Sequence, residues 1–205
     1  MLHRLTVLCC AAVLLIAGAA VTPARSDDVV NAIAIASGLV VLESLFVDTP
    51  DHDEPDFVAV EGGAFDPVRA EKESAYFDAE YRSGMFIWKL KPFGGIAGTT
   101  NGSFWGYAGV RLDTYWWDRR IIVTPSFALV GYDRGNGKNL GSPPLLGRSG
   151  FDFQYRFDDD SRIGIGFHHM SNGKALGQTL NPGTELVGIT YSVPVKLLID
   201  TIAKW

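Results

Sequence analysis

The stretch GIGFHHMSNGKALGQTLNPGTELVGITYSV, residues 164–193, contains the residue types of a nucleophile, a base and a group to orient it, at a usable spacing. On an extended chain successive side chains alternate, so His169 and Ser171, two apart, point the same way. A serine hydroxyl is a nucleophile at neutral pH only beside a base. His169 can take that proton and return it to a leaving oxygen, and a carboxylate such as Glu185 would hold the imidazole tautomer and stabilise its cation. Glu185 opens the next strand-like run, on the face of Val187 and Ile189, so an antiparallel return of the chain brings it beside the pair. Asn172 and the backbone N–H groups near Gly173 would then face a developing oxyanion. A plainer reading is also open: a His and a Ser closing a strand, with Glu185 hydrating a loop.

Positioning these residues requires a sheet. From residue 57 onward the chain reads as eight strands rich in aromatic and β-branched residues, at 57–65, 74–82, 86–97, 103–116, 120–132, 147–157, 161–171 and 185–194. No intervening stretch has a clean helical period, so an all-β fold is expected. Long connections at 66–73, 133–146 and 172–184 all follow odd-numbered strands, while 83–85, 117–119 and 158–160 are tight. Long loops at one end and short turns at the other are the signature of an eight-stranded antiparallel up-and-down barrel of the outer membrane.

The alternation within strands agrees. Ile163, Ile165, Phe167, His169 and Ser171 share one face, and Arg162, Gly164, Gly166, His168 and Met170 share the other. Val187, Ile189, Tyr191 and Val193 likewise oppose Gly188, Thr190 and Ser192. Bulky apolar side chains outside and small or polar ones inside suit a narrow barrel in lipid; a soluble lipid-binding barrel would reverse the arrangement. Trp88, Trp105, Trp116 and Trp117 are candidates for aromatic belts at the membrane interfaces.

Residues 1–26 read as a signal peptide, with Arg4 ahead of an apolar core and small residues before a cut after Ser26. Both cysteines, Cys9 and Cys10, fall inside it, so the exported part has neither disulfides nor thiolate metal sites. Segment 27–56 is an apolar run followed by an acidic linker that includes His52, and the 195–205 tail carries Leu197, Leu198, Ile199 and Ile202, as a short interfacial helix would. The formal charge is −5, and losing Arg4 and Arg25 with the signal makes the remainder more acidic. That excludes a general nucleic-acid binder. No metal site is expected, because the adjacent His168 and His169 diverge and no third ligand visibly converges with either.

The elements HHMSNG and NPGTE, followed by the last strand LVGITYSVP, resemble the PagL-type lipid A 3-O-deacylases, the outer-membrane acyloxyacyl hydrolase family. The resemblance spans roughly 57–194 and leaves 27–56 and the tail outside. It implies an eight-stranded barrel whose Ser–His–Glu triad faces the outer leaflet and removes the 3-position acyl chain of lipid A. Matched by motif, the nucleophile is Ser171, the base His169 and the acid Glu185, with Asn172 and Gly173 in the oxyanion region. No cofactor is implied. The expected partners are lipopolysaccharide as substrate and the outer membrane itself, with the protein a monomer or homodimer. The competing function is a non-catalytic small barrel with a structural or adhesive role, which gives no reason for Ser171, His169 and Glu185 to share a face.

Overall fold

The computed structural model describes residues 54–141, 145–173 and 181–204. The expected signal peptide, the apolar segment up to residue 53 with His52, and Trp205 lie outside these residues. The strands are β1 (Phe57–Phe65), β2 (Ser74–Arg82), β3 (Lys91–Thr99), β4 (Phe104–Arg111), β5 (Thr114–Trp116), β6 (Ile121–Asp133), β7 (Leu145–Arg156), β8 (Arg162–Ser171) and β9 (Thr184–Pro194), followed by helix α1 (Val195–Ile202).

Consecutive strands pair antiparallel, except β4 and β5, which both pair with β6. β1 meets β9, and β4 meets β6, which closes the sheet on itself. β4 and β5 are one stave of this barrel, since both pair with β6 in a continuous register, Arg111 opposite Ser126 and Thr114 opposite Val123. The break between them has a local cause. Leu112 donates its N–H to the Pro125 carbonyl at 3.0 Å, and Pro125 has no N–H to return. The result is an eight-stranded closed barrel with every stave paired on both sides, the condition for crossing a bilayer with strands.

The side chains sort by strand parity. Along β2, Tyr76, Asp78, Glu80 and Arg82 are buried inside while Phe77 and Tyr81 stand exposed outside. Ile96, Phe127, Leu129, Phe153, Ile165 and Ile189 continue the exposed apolar band round the barrel. The interior beneath it is charged: Lys91, Arg111 and Arg162 converge on the Asp113 carboxylate. In water this would be an inverted protein. In hydrocarbon it is the stable arrangement, because the ion pairs are shielded by the wall and the wall is wetted by lipid. The soluble-barrel alternative, which needs an apolar lumen, is excluded.

Towards the loop end the interior turns apolar. Trp105 is fully buried there, its ring 5.9 Å from Phe65 and 6.2 Å from Tyr132, with Leu140, Met170 and Leu186 in the same cluster. This corrects the reading of Trp105 as a belt residue, since its strand parity turns it inward. Trp88 and Trp117, by contrast, are exposed at the turn end.

The third strand also differs from expectation, starting at Lys91 instead of residue 86. Ile87 and Leu90 exchange backbone hydrogen bonds at 2.8 and 3.1 Å, closing a tight turn with Trp88 at a φ of 61°. The apolar run that reads as strand is therefore a turn whose side chains meet the membrane rim. The connection between β2 and β3 is correspondingly longer than the three residues expected. At the same end, Asp56 accepts hydrogen bonds from Tyr81 Oη at 2.6 Å and the Gly84 N–H at 2.7 Å, and these contacts hold its carboxyl below the ordinary carboxylate range.

Candidate active site

The site forms where β8 and β9 reach the loop end. The β8–β9 register places His169 directly opposite Glu185, and the imidazole Nδ1 lies 3.4 Å from Glu185 Oε1. Neither atom completes a hydrogen bond. Nδ1 is thus the imidazole nitrogen on the side of the Glu185 carboxylate. Ser171 follows on the same outward face, one strand repeat of about 7 Å along the chain. Ser149 on β7 flanks His169 from the other side. Below them on the outer wall, Phe167 stacks against Phe151 with ring centroids 5.5 Å apart.

Glu185 is only 1% exposed although it points out of the barrel, because connecting segments cover it. Arg69, from the β1–β2 connection, brings Nε to 3.9 Å from Glu185 Oε1 and donates through Nη1 to the Pro182 carbonyl. Asp66 ties the same region together. Its backbone N–H donates to the Glu185 carbonyl at 2.8 Å, and its Oδ1 accepts from Thr184 Oγ1 at 3.3 Å and from Lys138 Nζ at 2.6 Å. Its Oδ2 accepts the N–H groups of Glu71 and Lys72, each at 3.1 Å. Two loops are thus fastened to the strand that carries the acid. Nothing in the sequence marks Arg69, Asp66 or Lys138 as part of a site, because isolated charges in Gly/Pro-flanked connections read as solvated.

Gly183 is a further missed contributor. It has a φ of +54°, and a Cβ built on it would stand 2.8 Å from His169 Cε1 and 3.3 Å from Nε2. The glycine therefore serves as the backing wall of the imidazole.

Asn172 and Gly173 form the turn after Ser171. The Asn172 carboxamide is buried and donates to the Leu140 carbonyl at 3.1 Å, which joins this turn to the β6–β7 connection. The Gly173 N–H, at a φ of 59°, donates to Asn181 Oδ1 at 3.3 Å across the mouth of the loop. His168 points the opposite way from His169, into the barrel beside Glu61 and Asp152.

The sequence matches the family described as Lipid A 3-O-deacylase (PagL) over residues 75–194, more than half of the chain. Among solved structures, the crystal structure of the outer membrane enzyme PagL superposes with a TM-score of 0.55 at 16% identity, covering 68% of this chain and 99% of that one. The Yersinia pestis outer membrane protein Ail in a phospholipid bilayer nanodisc gives a TM-score of 0.42 at 14% identity, covering 68% of this chain and 99% of its own. No curated protein matches the chain. The protein belongs to the PagL lipid A 3-O-deacylase family of hydrolases, as an eight-stranded β-barrel of the bacterial outer membrane.

Proposed function

We propose that the protein is an esterase that removes the 3-O-linked acyl chain of lipid A in the outer leaflet, using Ser171, His169 and Glu185. The observation that carries this reading is the cross-strand pair His169–Glu185 with Ser171 on the same lipid-facing side, at the loop end of the barrel. A lipid ester beside the wall reaches that face without leaving the membrane, its acyl chain lying along Phe167, Phe151 and Ile165.

In the first half-reaction the Ser171 hydroxyl attacks the ester carbonyl while His169 Nε2 takes its proton. The tetrahedral oxyanion is met by the turn after the nucleophile. There the Gly173 N–H would exchange Asn181 Oδ1 for the oxyanion, and the buried Asn172 would hold the turn through Leu140. His169 then protonates the departing sugar oxygen, leaving an acyl-Ser171 that water hydrolyses with the same base. Glu185 stabilises the imidazolium, and Arg69 limits the freedom of Glu185. Helix α1 follows β9 at the turn end with Leu198, Ile199 and Ile202 exposed on one side, as residence at the inner membrane interface requires.

Mass spectrometry of lipid A from bacteria with and without the protein tests the reading. Lipid A should lose one 3-hydroxyacyl group when the protein is present, with the free hydroxy acid released. Unchanged lipid A, both in cells and when purified lipid A is given to the folded barrel, would refute the assigned substrate.

Gly183→Ala provides a finer test. Its methyl group would displace the imidazole by a fraction of an ångström to an ångström, so turnover should fall by roughly ten- to a hundredfold. The heat-dependent shift in gel mobility that marks a folded barrel should persist. Full activity in that variant would show that Gly183 does not hold His169.

A further inference from the structure

The interior of the barrel contains a second cluster that ester hydrolysis does not use. Glu61 on β1, Asp152 on β7 and His168 on β8 are all buried, and one ligand atom from each lies within 4.8 Å of the other two. Each carboxylate has one oxygen already engaged. Tyr76 Oη donates to Glu61 Oε1, and Arg82 Nη2 donates to Asp152 Oδ2 at 2.6 Å. The remaining oxygens, Glu61 Oε2 and Asp152 Oδ1, lie 3.6 and 3.3 Å from His168 Nε2. Neither His168 nitrogen makes a hydrogen bond, nor does Asp152 Oδ1, although His168 is only 2% exposed.

Three features of this arrangement point to an ion. Ligands bound to one tetrahedral zinc at about 2.0–2.2 Å stand roughly 3.3–3.6 Å apart, the spacing of the two His168 contacts. Carboxylate ligands also commonly have their second oxygen held by a neighbouring donor, the role Tyr76 and Arg82 already fill. The space is kept open by glycine, since a Cβ at Gly166 would stand 2.6 Å from Glu61 Oε2 and 2.9 Å from His168 Nε2.

Charge supplies an independent reason. In this part of the interior the carboxylates of Glu61, Asp78, Glu80 and Asp152 face the guanidinium groups of Arg82 and Arg148. With His168 neutral these six groups sum to two negative charges, and the adjoining Lys91, Arg111 and Arg162 exceed Asp113 and Glu54 by one positive charge, so a net negative charge remains in the interior and a cation beside it is favoured.

We infer that the barrel interior binds a divalent transition-metal cation of the zinc class through Glu61, Asp152 and His168. The mixture of imidazole and carboxylate suits zinc or manganese better than the oxygen-only sites of calcium. Such an ion would tie β1 to β7 and β8 from inside, on the other side of the wall from Ser171, and its role would be structural.

The test uses the whole chain, purified without a metal-binding tag and refolded in detergent with either zinc chloride or a chelator. After dialysis, the zinc-refolded barrel should retain about one zinc per chain and unfold at a higher urea concentration than the chelated one. His168→Gln and Asp152→Asn, checked for folding by gel mobility, should lose both the bound zinc and the urea shift. A folded wild-type barrel that retains no zinc would overturn the inference and leave a protonated His168 as the occupant of the site. Undiminished zinc in both variants would overturn it as well.

Discussion

Ser171→Ala and His169→Ala should each lower release of the 3-hydroxy fatty acid from purified lipid A by at least about a thousandfold, with the folded-barrel gel shift intact. The size of the effect follows from the roles proposed for them. Without the Ser171 hydroxyl no acyl-enzyme forms, and without the imidazole the hydroxyl is not activated. Neither side chain supports the fold, since both lie on the outer face at the end of β8. Glu185→Ala should leave roughly ten- to a hundredfold more activity than Ser171→Ala, because it removes an orienting group and not a reacting one. Retained activity in Ser171→Ala would exclude an acyl-enzyme, and with it the assigned triad.

The second large effect concerns stability. Asp113 is enclosed by Lys91 Nζ at 3.1 Å, Arg111 Nη1 at 2.5 Å, Arg162 Nη1 at 3.4 Å and Thr124 Oγ1 at 2.8 Å, with no exposed side-chain surface. Asp113→Ala removes the one anion these three cations share and leaves them mutually repelling inside the wall. Breaking a buried ion pair from one side costs about 3–5 kcal/mol, and that is the expected loss in urea unfolding from detergent or bilayer. Asp113→Asn should lie between, since it keeps an acceptor for Thr124 and loses the charge. A loss within about 0.5 kcal/mol for the alanine variant would mean that water or Glu54, which also reaches Lys91 and Arg162, takes over the role.

Much of this architecture is written locally. The two-residue period of strands puts Ile163, Ile165 and Phe167 on one face and Arg162, Gly164 and Gly166 on the other, whatever the rest of the chain does. The same parity sends His169 and Ser171 together and His168 away, and an antiparallel return makes Glu185 their neighbour. Local pattern fails where two structures share one composition. The run FIWKL at 86–90 has strand residues but closes a turn, because Trp88 takes a left-handed φ that no period reveals. Trp105 looks like any interface tryptophan until the closed barrel shows which face of β4 is inside.

What the sequence by itself determined is therefore the barrel, the greasy side of its wall and the placing of Ser171, His169 and Glu185 on that side, since alternation and short-range return are properties of neighbouring residues. Only the tertiary structure decided which groups meet across the lumen and over the rim. Glu61, Asp152 and His168 come from three strands, and Arg69, Asp66 and Lys138 reach the strand of Glu185 from two loops. Such meetings depend on where the sheet closes, β1 on β9 and β4 on β6, and closure is set by the register of the whole barrel and not by any segment of it.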